Sequence, residues 1–323
     1  MRNYLMAVSA AVLIFTGCAM PRITLFPGGT DSLEEYVLEG KGNYKVLIIP
    51  IQGQISDTPE KGFLRTNPGM VQRIVSHLRK AEKDPDIRAV VIKVDSPGGS
   101  VTASDLLYHE ISEFKKRTNV KMVAALMNLA ASGGYYVCLP ADRIMAHPTT
   151  VTGSVGVIVM RPDLTGLMDK IGVHVAVSKT GRDKDMGSPF RRPDPEEEKM
   201  FQELADHLGE RFLSLVQKHR NPGAEAMKQI ATARVFLAEE AKSLGLVDEI
   251  GYLSDALKKG KSLAGISGDA KVIVYRRTEY PDDNIYNTAS VYGGDFALAD
   301  FRLPPALGSA GFFYLWHPAV SGE

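Results

Sequence analysis

Apolar runs of strand length alternate with amphipathic segments along the chain from Lys45 onward. The runs KVLIIPIQG, IRAVVIKVD and VKMVAALMN are continuous and rich in β-branched residues, which is typical of strands buried on both faces. Over residues 67–83 and 101–117, between these runs, apolar residues recur three and four positions apart, as along one face of a helix. This alternation predicts an α/β fold with a mainly parallel sheet, covered by helices on both sides and joined by right-handed crossovers.

Shorter elements follow in the second half of the chain. We expect a short helix near Ala131, strands in DRIMAHP and VTGSVGVIV, a helix in LTGLMDKIG and a strand in VHVAVS. Asp194, Pro195 and Glu197 have the spacing of a helix N-terminus, with the aspartate as N-cap. The apolar positions of this helix form one stripe, which comprises Met200, Phe201, Leu204, Leu208, Phe212, Leu215 and Val216. Two more helices, in LAEEAKSLGLVDEIG and YLSDALKKGKSLAG, and a strand in AKVIVYRR complete the predicted domain.

The charge balance narrows the classes of partner. Basic residues and acidic residues both number 38 in a chain of 323 residues, so the formal net charge is zero. Sites for nucleic acid or for anionic surfaces need an excess of basic charge. Neither class of partner is therefore expected.

The N-terminus has the pattern of an export signal. One basic residue, Arg2, precedes an apolar run over residues 5–15, and this run is shorter than the roughly 20 residues that span a bilayer. The sequence FTGC that follows resembles a bacterial lipobox, which makes Cys18 the candidate for lipidation, although an ordinary cleaved signal peptide would also fit. We therefore expect a signal peptide over residues 1–17 and a tether over residues 18–43.

Residues 44–278 form the predicted folded domain, and residues 279–323 form a proline-rich tail. No segment of the domain repeats, so any active site occurs once per chain. The other cysteine, Cys138, is expected to be a small buried residue. We expect the tail segment GFFYLWHP to dock on the protein rather than to contact a membrane or a substrate.

Three glycine-rich turns, DSPGGS, AASGG and TVTGSVG, follow predicted strands. Loops at the carboxyl ends of parallel strands converge, and glycine lets backbone amides approach a substrate closely enough to form an oxyanion hole. A serine nucleophile there needs a base, and the histidines lie in helices, at strand ends or in the tail. Lys179 and Lys184, in one loop, are the alternative bases, and residue type alone does not choose between them.

Four ordered motifs, DSPGGSVTAS, NLAASGGYYV, TTVTGSVGVI and DKDMGSPFR, resemble those of the signal peptide peptidase SppA family. The resemblance extends over residues 45–277. It implies a Clp protease/crotonase-like spiral of ββα units, and a serine protease that uses a Ser/Lys dyad without metal or cofactor.

The resemblance also implies a role for each matching residue. Ser132 would be the nucleophile, Lys184 the general base, and Ser154 the residue that orients the lysine. The amides of Gly99 and Gly133 would form the oxyanion hole.

A single-domain form of this family is expected to be a closed homo-oligomer, in which the lysine completes the active site of a neighbouring subunit. Its substrates would be remnant signal peptides and other apolar segments at the bacterial cell envelope, where lipid on Cys18 would anchor the enzyme. The alternatives are a crotonase-like acyl-CoA enzyme, a non-catalytic lipoprotein scaffold, or a closer relation to capsid-maturation or stomatin-linked Ser/Lys proteases.

Overall fold

The computed structural model describes residues 32–61, 66–277, 279–280, 283–288 and 311–316, and Cys18 lies outside these ranges. The strands are β1 Glu34–Glu39, β2 Lys45–Gln52, β3 Glu60–Lys61, β4 Thr66–Asn67, β5 Ile87–Ser96, β6 Gly98–Ser100, β7 Lys121–Ala131, β8 Arg143–Ala146, β9 Val151–Gly153, β10 Ile158–Met160, β11 Val235–Leu237, β12 Glu249–Ile250, β13 Lys271–Arg276 and β14 Gly311–Leu315. The helices are α1 Met70–Glu82, α2 Val101–Thr118, α3 Gly133–Tyr136, α4 Thr165–Ile171, α5 Pro195–Arg220, α6 Ala224–Ile230, α7 Ala238–Ser243 and α8 Leu253–Leu263.

A mainly parallel sheet forms the centre of the fold, as the sequence predicts. Its strand order is β1-β13-β2-β5-β7-β8-β12, and all the pairs from β13 to β12 are parallel. In addition, β9 pairs with the end of β7 in parallel orientation, and β11 pairs with β9 in antiparallel orientation. A second sheet has the order β10-β14-β6, and both of its pairs are antiparallel.

Both faces of the central sheet are buried, so its strands read as continuous apolar runs. Leu47 and Ile49 belong to the large core cluster, which also contains apolar residues of α1 and α2. Val46 and Ile48, which alternate with them along β2, belong to a second cluster that includes Leu257 of α8. The period-two alternation of side chains therefore supplies both cores from one strand.

The predicted helix starts are observed. The Asp194 carboxylate accepts a hydrogen bond from the Glu197 amide at 2.8 Å, which caps α5 as the sequence predicts. Ser100 caps α2 in the same way, through the Ala103 amide at 3.1 Å. Because Ser100 also ends β6, this cap fixes the glycine turn that precedes it to the start of α2.

One prediction about the second half of the chain is wrong. Residues 173–178, predicted to be a strand, are exposed and pair with no other strand of the described chain. A strand exists only when a second strand supplies hydrogen-bond partners, and local alternation cannot show whether one is present. Within the predicted apolar stripe of α5, Phe201, Phe212 and Val216 are buried, but Leu204 is 45% exposed.

Two segments outside the predicted domain join the sheets. Residues 34–39, placed in the tether by the sequence, form the edge strand β1 against β13. Residues 311–315 dock on the protein as β14, as expected for GFFYLWHP, whose last two residues lie outside the described part. Cys138 is fully buried, and burial raises the pKa of its thiol, which fits the predicted structural role. None of the helices in the described ranges is long and apolar enough to cross a membrane.

Candidate active site

Ser132 lies at a sharp bend directly after β7. Its backbone has φ 52° and ψ −119°, a conformation that residues other than glycine rarely adopt. Holding a serine there costs roughly 1–3 kcal/mol. Its amide donates to the Gly153 carbonyl at 2.8 Å, and its carbonyl accepts from the Tyr135 and Tyr136 amides of α3, each at 2.9 Å. The neighbouring strand β9 and the helix after the bend therefore hold this conformation in place.

The hydroxyl of Ser132 is buried without a partner. The residue is 1% exposed, and its Oγ makes no hydrogen bond in the described structure. Leaving a buried polar group unpaired costs free energy, so such groups are rare in folded proteins and are commoner at functional sites. The bend and the unpaired hydroxyl together distinguish Ser132 from the capping serine, Ser100.

Ser154 lies beside Ser132 because their strands are neighbours. Ala131 at the end of β7 pairs with Gly153 at the end of β9, and each serine is the next residue along its chain. Ser154 also has a positive φ, of 51°, and its amide donates to the Arg234 carbonyl at 2.9 Å. The structure thus brings these two predicted site residues to one edge of the sheet.

The glycine turn after β5 lies against the start of α3. A methyl group added to the α-carbon of Gly98, whose φ is 96°, would lie 2.7 Å from the amide nitrogen of Gly133. On its other side the turn is held by Ile55, whose amide donates to the Gly98 carbonyl at 2.8 Å. Ile55 also accepts from the Ser100 amide at 3.0 Å. The segment containing Gly99 is therefore fixed close to Gly133, as an oxyanion hole requires.

The two candidate lysines differ in their surroundings. Lys179 Nζ donates to the Asp185 carboxylate and to the Arg182 carbonyl, each at 2.7 Å. Lys184 is exposed in a 3₁₀ turn, Arg182–Asp185, and within the described residues its Nζ has no partner. No hydrogen bond joins Lys184 to Ser132 within one chain, because the serine hydroxyl has no partner either.

Ion pairs hold the loop that carries Lys184. Arg191 bridges the carboxylates of Asp185 and Glu197, at 2.9 and 2.8 Å. The hydrogen bond from Arg191, and to a smaller extent the one from Lys179, keeps the pKa of Asp185 well below its usual range. Glu197 also accepts from the Gly187 amide, so the loop is fastened to the first turn of α5.

Several residues that support the site were not found by the sequence reasoning. Ser96 Oγ accepts from the Gly98 amide at 3.1 Å, and Ser104 Oγ lies where a side chain at Gly133 would have to go. Ser96 belongs to the DSPGGS turn and could have been suspected from it. The carbonyl of Arg234 that holds Ser154 has no signal in the sequence, because any residue supplies a carbonyl.

Comparison with known proteins agrees with this geometry. The model for Peptidase family S49 matches residues 114–267, and the Clp protease model matches residues 65–160. A protein of Enterococcus faecium named "Putative signal peptide peptidase SppA" is 37% identical over 255 residues, which are 78% of this chain and 73% of that protein. The chain belongs to peptidase family S49.

Membership of family S49 makes the chain a serine-type endopeptidase. Protease 4 of Haemophilus influenzae is 32% identical over 257 residues, which are 79% of this chain but only 40% of that longer relative. The solved structure of a membrane-bound stomatin-specific protease aligns with 68% of this chain and 86% of its own, with 20% identity and a TM-score of 0.41. The Clp protease match and the mainly parallel sheet confirm the predicted Clp-like fold class.

Proposed function

We propose that this S49 peptidase hydrolyses remnant signal peptides and other apolar peptide segments at the cell envelope, with Ser132 and Lys184 as a catalytic dyad. The observation that carries the proposal is the buried, unpaired hydroxyl of Ser132 at a bend of positive φ, between Ser154 and the Gly133 amide. A nucleophile needs such a presentation and a base to take its proton.

In the proposed reaction, the neutral amine of Lys184 accepts the Ser132 proton while Oγ attacks the peptide carbonyl carbon. The amides of Gly99 and Gly133 stabilise the negative charge that develops on the carbonyl oxygen. Lys184 then donates its proton to the leaving amine as the acyl-enzyme forms. A water molecule, deprotonated by Lys184, hydrolyses the acyl-enzyme and returns Ser132. The hydroxyl of Ser154 orients the lysine.

We propose further that the lysine acts on the serine of a neighbouring subunit. Within one chain the two side chains are not hydrogen-bonded, whereas Lys184 is exposed and free of the ion pairs that engage Lys179. A second subunit would bring the lysine to the serine and supply the missing partner of its Oγ.

The surface around Lys184 favours such an assembly. Six apolar side chains between residues 167 and 190 are at least 45% exposed: Leu167, Ile171, Val173, Val175, Val177 and Phe190. Contiguous exposed apolar residues of this kind mark interfaces. The three valines occupy every second position of a segment without a strand partner in the described chain, so a neighbouring copy could pair with it.

A mixing experiment tests the dyad and its location together. Ser132→Ala and Lys184→Ala are purified separately, then dissociated and reassembled as a 1:1 mixture with an apolar reporter peptide as substrate. Each variant alone should be inactive. If the dyad forms between subunits, the mixture should recover about one quarter of the wild-type activity, because that fraction of random interfaces combines an intact serine with an intact lysine.

Lys170→Ala, which removes another exposed lysine of the same region, should retain activity and controls for a general effect of charge. Activity in either single variant would refute the dyad. Two inactive variants whose co-assembled mixture stays inactive would refute the location between subunits.

The envelope location rests on the N-terminal export pattern and on the name of the Enterococcus faecium relative. We propose that lipid on Cys18 anchors the enzyme. Radiolabelled fatty acid should be incorporated into the wild-type chain and not into Cys18→Ser. Equal labelling of the two chains, or no label on the wild type, would contradict this anchor.

A further inference from the structure

The C-terminal strand β14 lies at the candidate active site. It is the middle strand of the small sheet, antiparallel to β6 on one side and to β10 on the other. On β6, Tyr314 is opposite Gly99 and Leu315 is opposite Gly98; on β10, Phe313 is opposite Ile158. The segment therefore pairs with the glycine turn that supplies one proposed oxyanion-hole amide.

The hydrogen-bond pattern turns the Gly99 amide towards this strand. On one side of β6, Ile55 is hydrogen-bonded to the carbonyl of Gly98 and to the amide of Ser100. The amide and the carbonyl of Gly99, which lies between these two residues, therefore point away from Ile55 and towards β14. On that side the Trp316 amide donates to the Pro97 carbonyl at 2.9 Å. Hydrogen-bonded pairs alternate along an antiparallel ladder, so the next such pair is Tyr314 with Gly99.

The carbonyl oxygen of Tyr314 also lies next to the second proposed amide. A methyl group added to Gly98 would lie 1.9 Å from this oxygen and 2.7 Å from the Gly133 nitrogen. A methyl group added to Gly133 would lie 3.1 Å from the same oxygen. The approach is possible only because both residues lack side chains. The Tyr314 carbonyl thus occupies the place where the two glycine amides meet.

The side chain of Tyr314 fills an aromatic pocket. It is fully buried and stacks on Tyr136, with ring centroids 5.0 Å apart and planes 25° apart. The ring of Phe212 lies 5.0 Å away on another side, and the hydroxyl donates to the Leu208 carbonyl at 2.9 Å. Tyr136 belongs to α3, the helix that follows Ser132, so the pocket adjoins the nucleophile.

We propose that β14 occupies the groove that takes substrate, with Tyr314 at the position of the residue whose carbonyl is attacked. This inference rests on the proposed function of Ser132. Substrates enter by displacing the strand, pair with β6 and β10 in the same antiparallel register, and place a large aromatic side chain in the Tyr314 pocket. The segment GFFYLW is then both an internal competitor and a template for substrate specificity.

A binding experiment tests this without catalysis. Fluorescein-labelled GFFYLW peptide is titrated against the full-length Ser132→Ala chain and against the Ser132→Ala/Tyr314→Ala double variant, with fluorescence anisotropy as the readout. Loss of the buried ring weakens the internal strand, so the double variant should bind the peptide about tenfold more tightly or better. Tyr314→Phe in the same background is the matched control. It keeps the ring and loses only the hydrogen bond to the Leu208 carbonyl, so its affinity should lie closer to that of Ser132→Ala than to that of the double variant. The peptide GFFALW should bind about tenfold more weakly than GFFYLW.

Equal affinity of the two chains for GFFYLW, or equal affinity for the two peptides, would overturn the inference. If Tyr314→Ala fails to fold, hydrogen exchange of the Ser132→Ala chain decides. Saturating GFFYLW should speed exchange of the Trp316 amide by releasing it from Pro97, and an unchanged rate would show a permanent structural strand. Because both readouts use a chain without the nucleophile, a failure of the Ser/Lys chemistry leaves them unaffected and is detected separately in the mixing experiment.

Discussion

Replacing the proposed nucleophile should make the protein more stable. The Ser132 hydroxyl is buried and has no hydrogen-bond partner in the described structure. An unpaired buried hydroxyl costs about 1–3 kcal/mol relative to water, and alanine removes it while leaving only a cavity the size of one oxygen. Ser132→Ala should therefore raise the free energy of unfolding by about 1 kcal/mol. The strained φ remains, because alanine tolerates it no better than serine.

Ser96 provides the matched control. It too is fully buried and lies two residues before Gly98 in the same site, but its Oγ accepts a hydrogen bond from the Gly98 amide at 3.1 Å. Ser96→Ala leaves that amide unpaired and should lower the free energy of unfolding by about 1–2 kcal/mol. Replacing serine by alanine at these two buried positions should thus change the free energy of unfolding in opposite directions, because only the Ser96 hydroxyl has a hydrogen-bond partner.

Urea unfolding followed by circular dichroism measures both effects. The cleanest comparison uses a Lys184→Ala background, in which no lysine from a neighbouring subunit can bond to Ser132. If Ser132→Ala lowers stability there by as much as Ser96→Ala does, the reasoning from the unpaired hydroxyl is refuted. A smaller gain in the wild-type background than in Lys184→Ala would indicate that the lysine reaches the serine in the assembly.

Two further predictions concern buried ionisable groups away from the site. Burial lowers the pKa of His77 to about 4, whereas the unfolded chain should have a value near 6.5. As the pH falls from 6.5 towards 4, the unfolded state therefore binds a proton that the folded state does not, and the free energy of unfolding decreases. Between pH 7.5 and 5 the free energy of unfolding of the wild type should fall by about 2 kcal/mol more than that of His77→Phe. Urea titrations that give parallel pH profiles for the two proteins would contradict the reasoning. Asp283→Asn should cost about 3 kcal/mol, because the fully buried Arg276 guanidinium, which donates to that carboxylate at 2.8 Å, loses its counter-charge. Glu225→Gln, which breaks the exposed pair with Lys228, should leave the melting temperature unchanged, and similar melting temperatures for the two variants would refute the distinction.

Most of the central sheet could be predicted from local patterns. The runs that become β2, β5 and β7 are continuous because both faces of each strand are covered, and the Asp194 cap marked the start of α5. The prediction of a strand at residues 173–178 was wrong, because alternation reports the side chains and not the presence of a partner strand.

The motifs supplied the candidate site residues, and the roles of these residues stay predictions. The motifs named Ser132, Ser154, Lys184, Gly99 and Gly133. In the structure the two serines directly follow the paired strands β7 and β9, and the glycine turn lies against α3. Residue type alone did not separate the two lysines, and the resemblance to the family motif named Lys184; the structure adds that Lys179 is engaged with Asp185.

By itself the sequence determined the α/β class, the order of the main elements and the family, because periodicity, caps and motifs are properties of neighbouring residues. Only the tertiary structure decided that the Ser132 hydroxyl is buried and unpaired, that residues 34–39 extend the sheet, and that the Tyr314 carbonyl lies against Gly98 and Gly133. The last contact joins residues more than 180 positions apart. Such pairings depend on where the rest of the chain places a groove, and no local pattern of apolar and polar residues records that position.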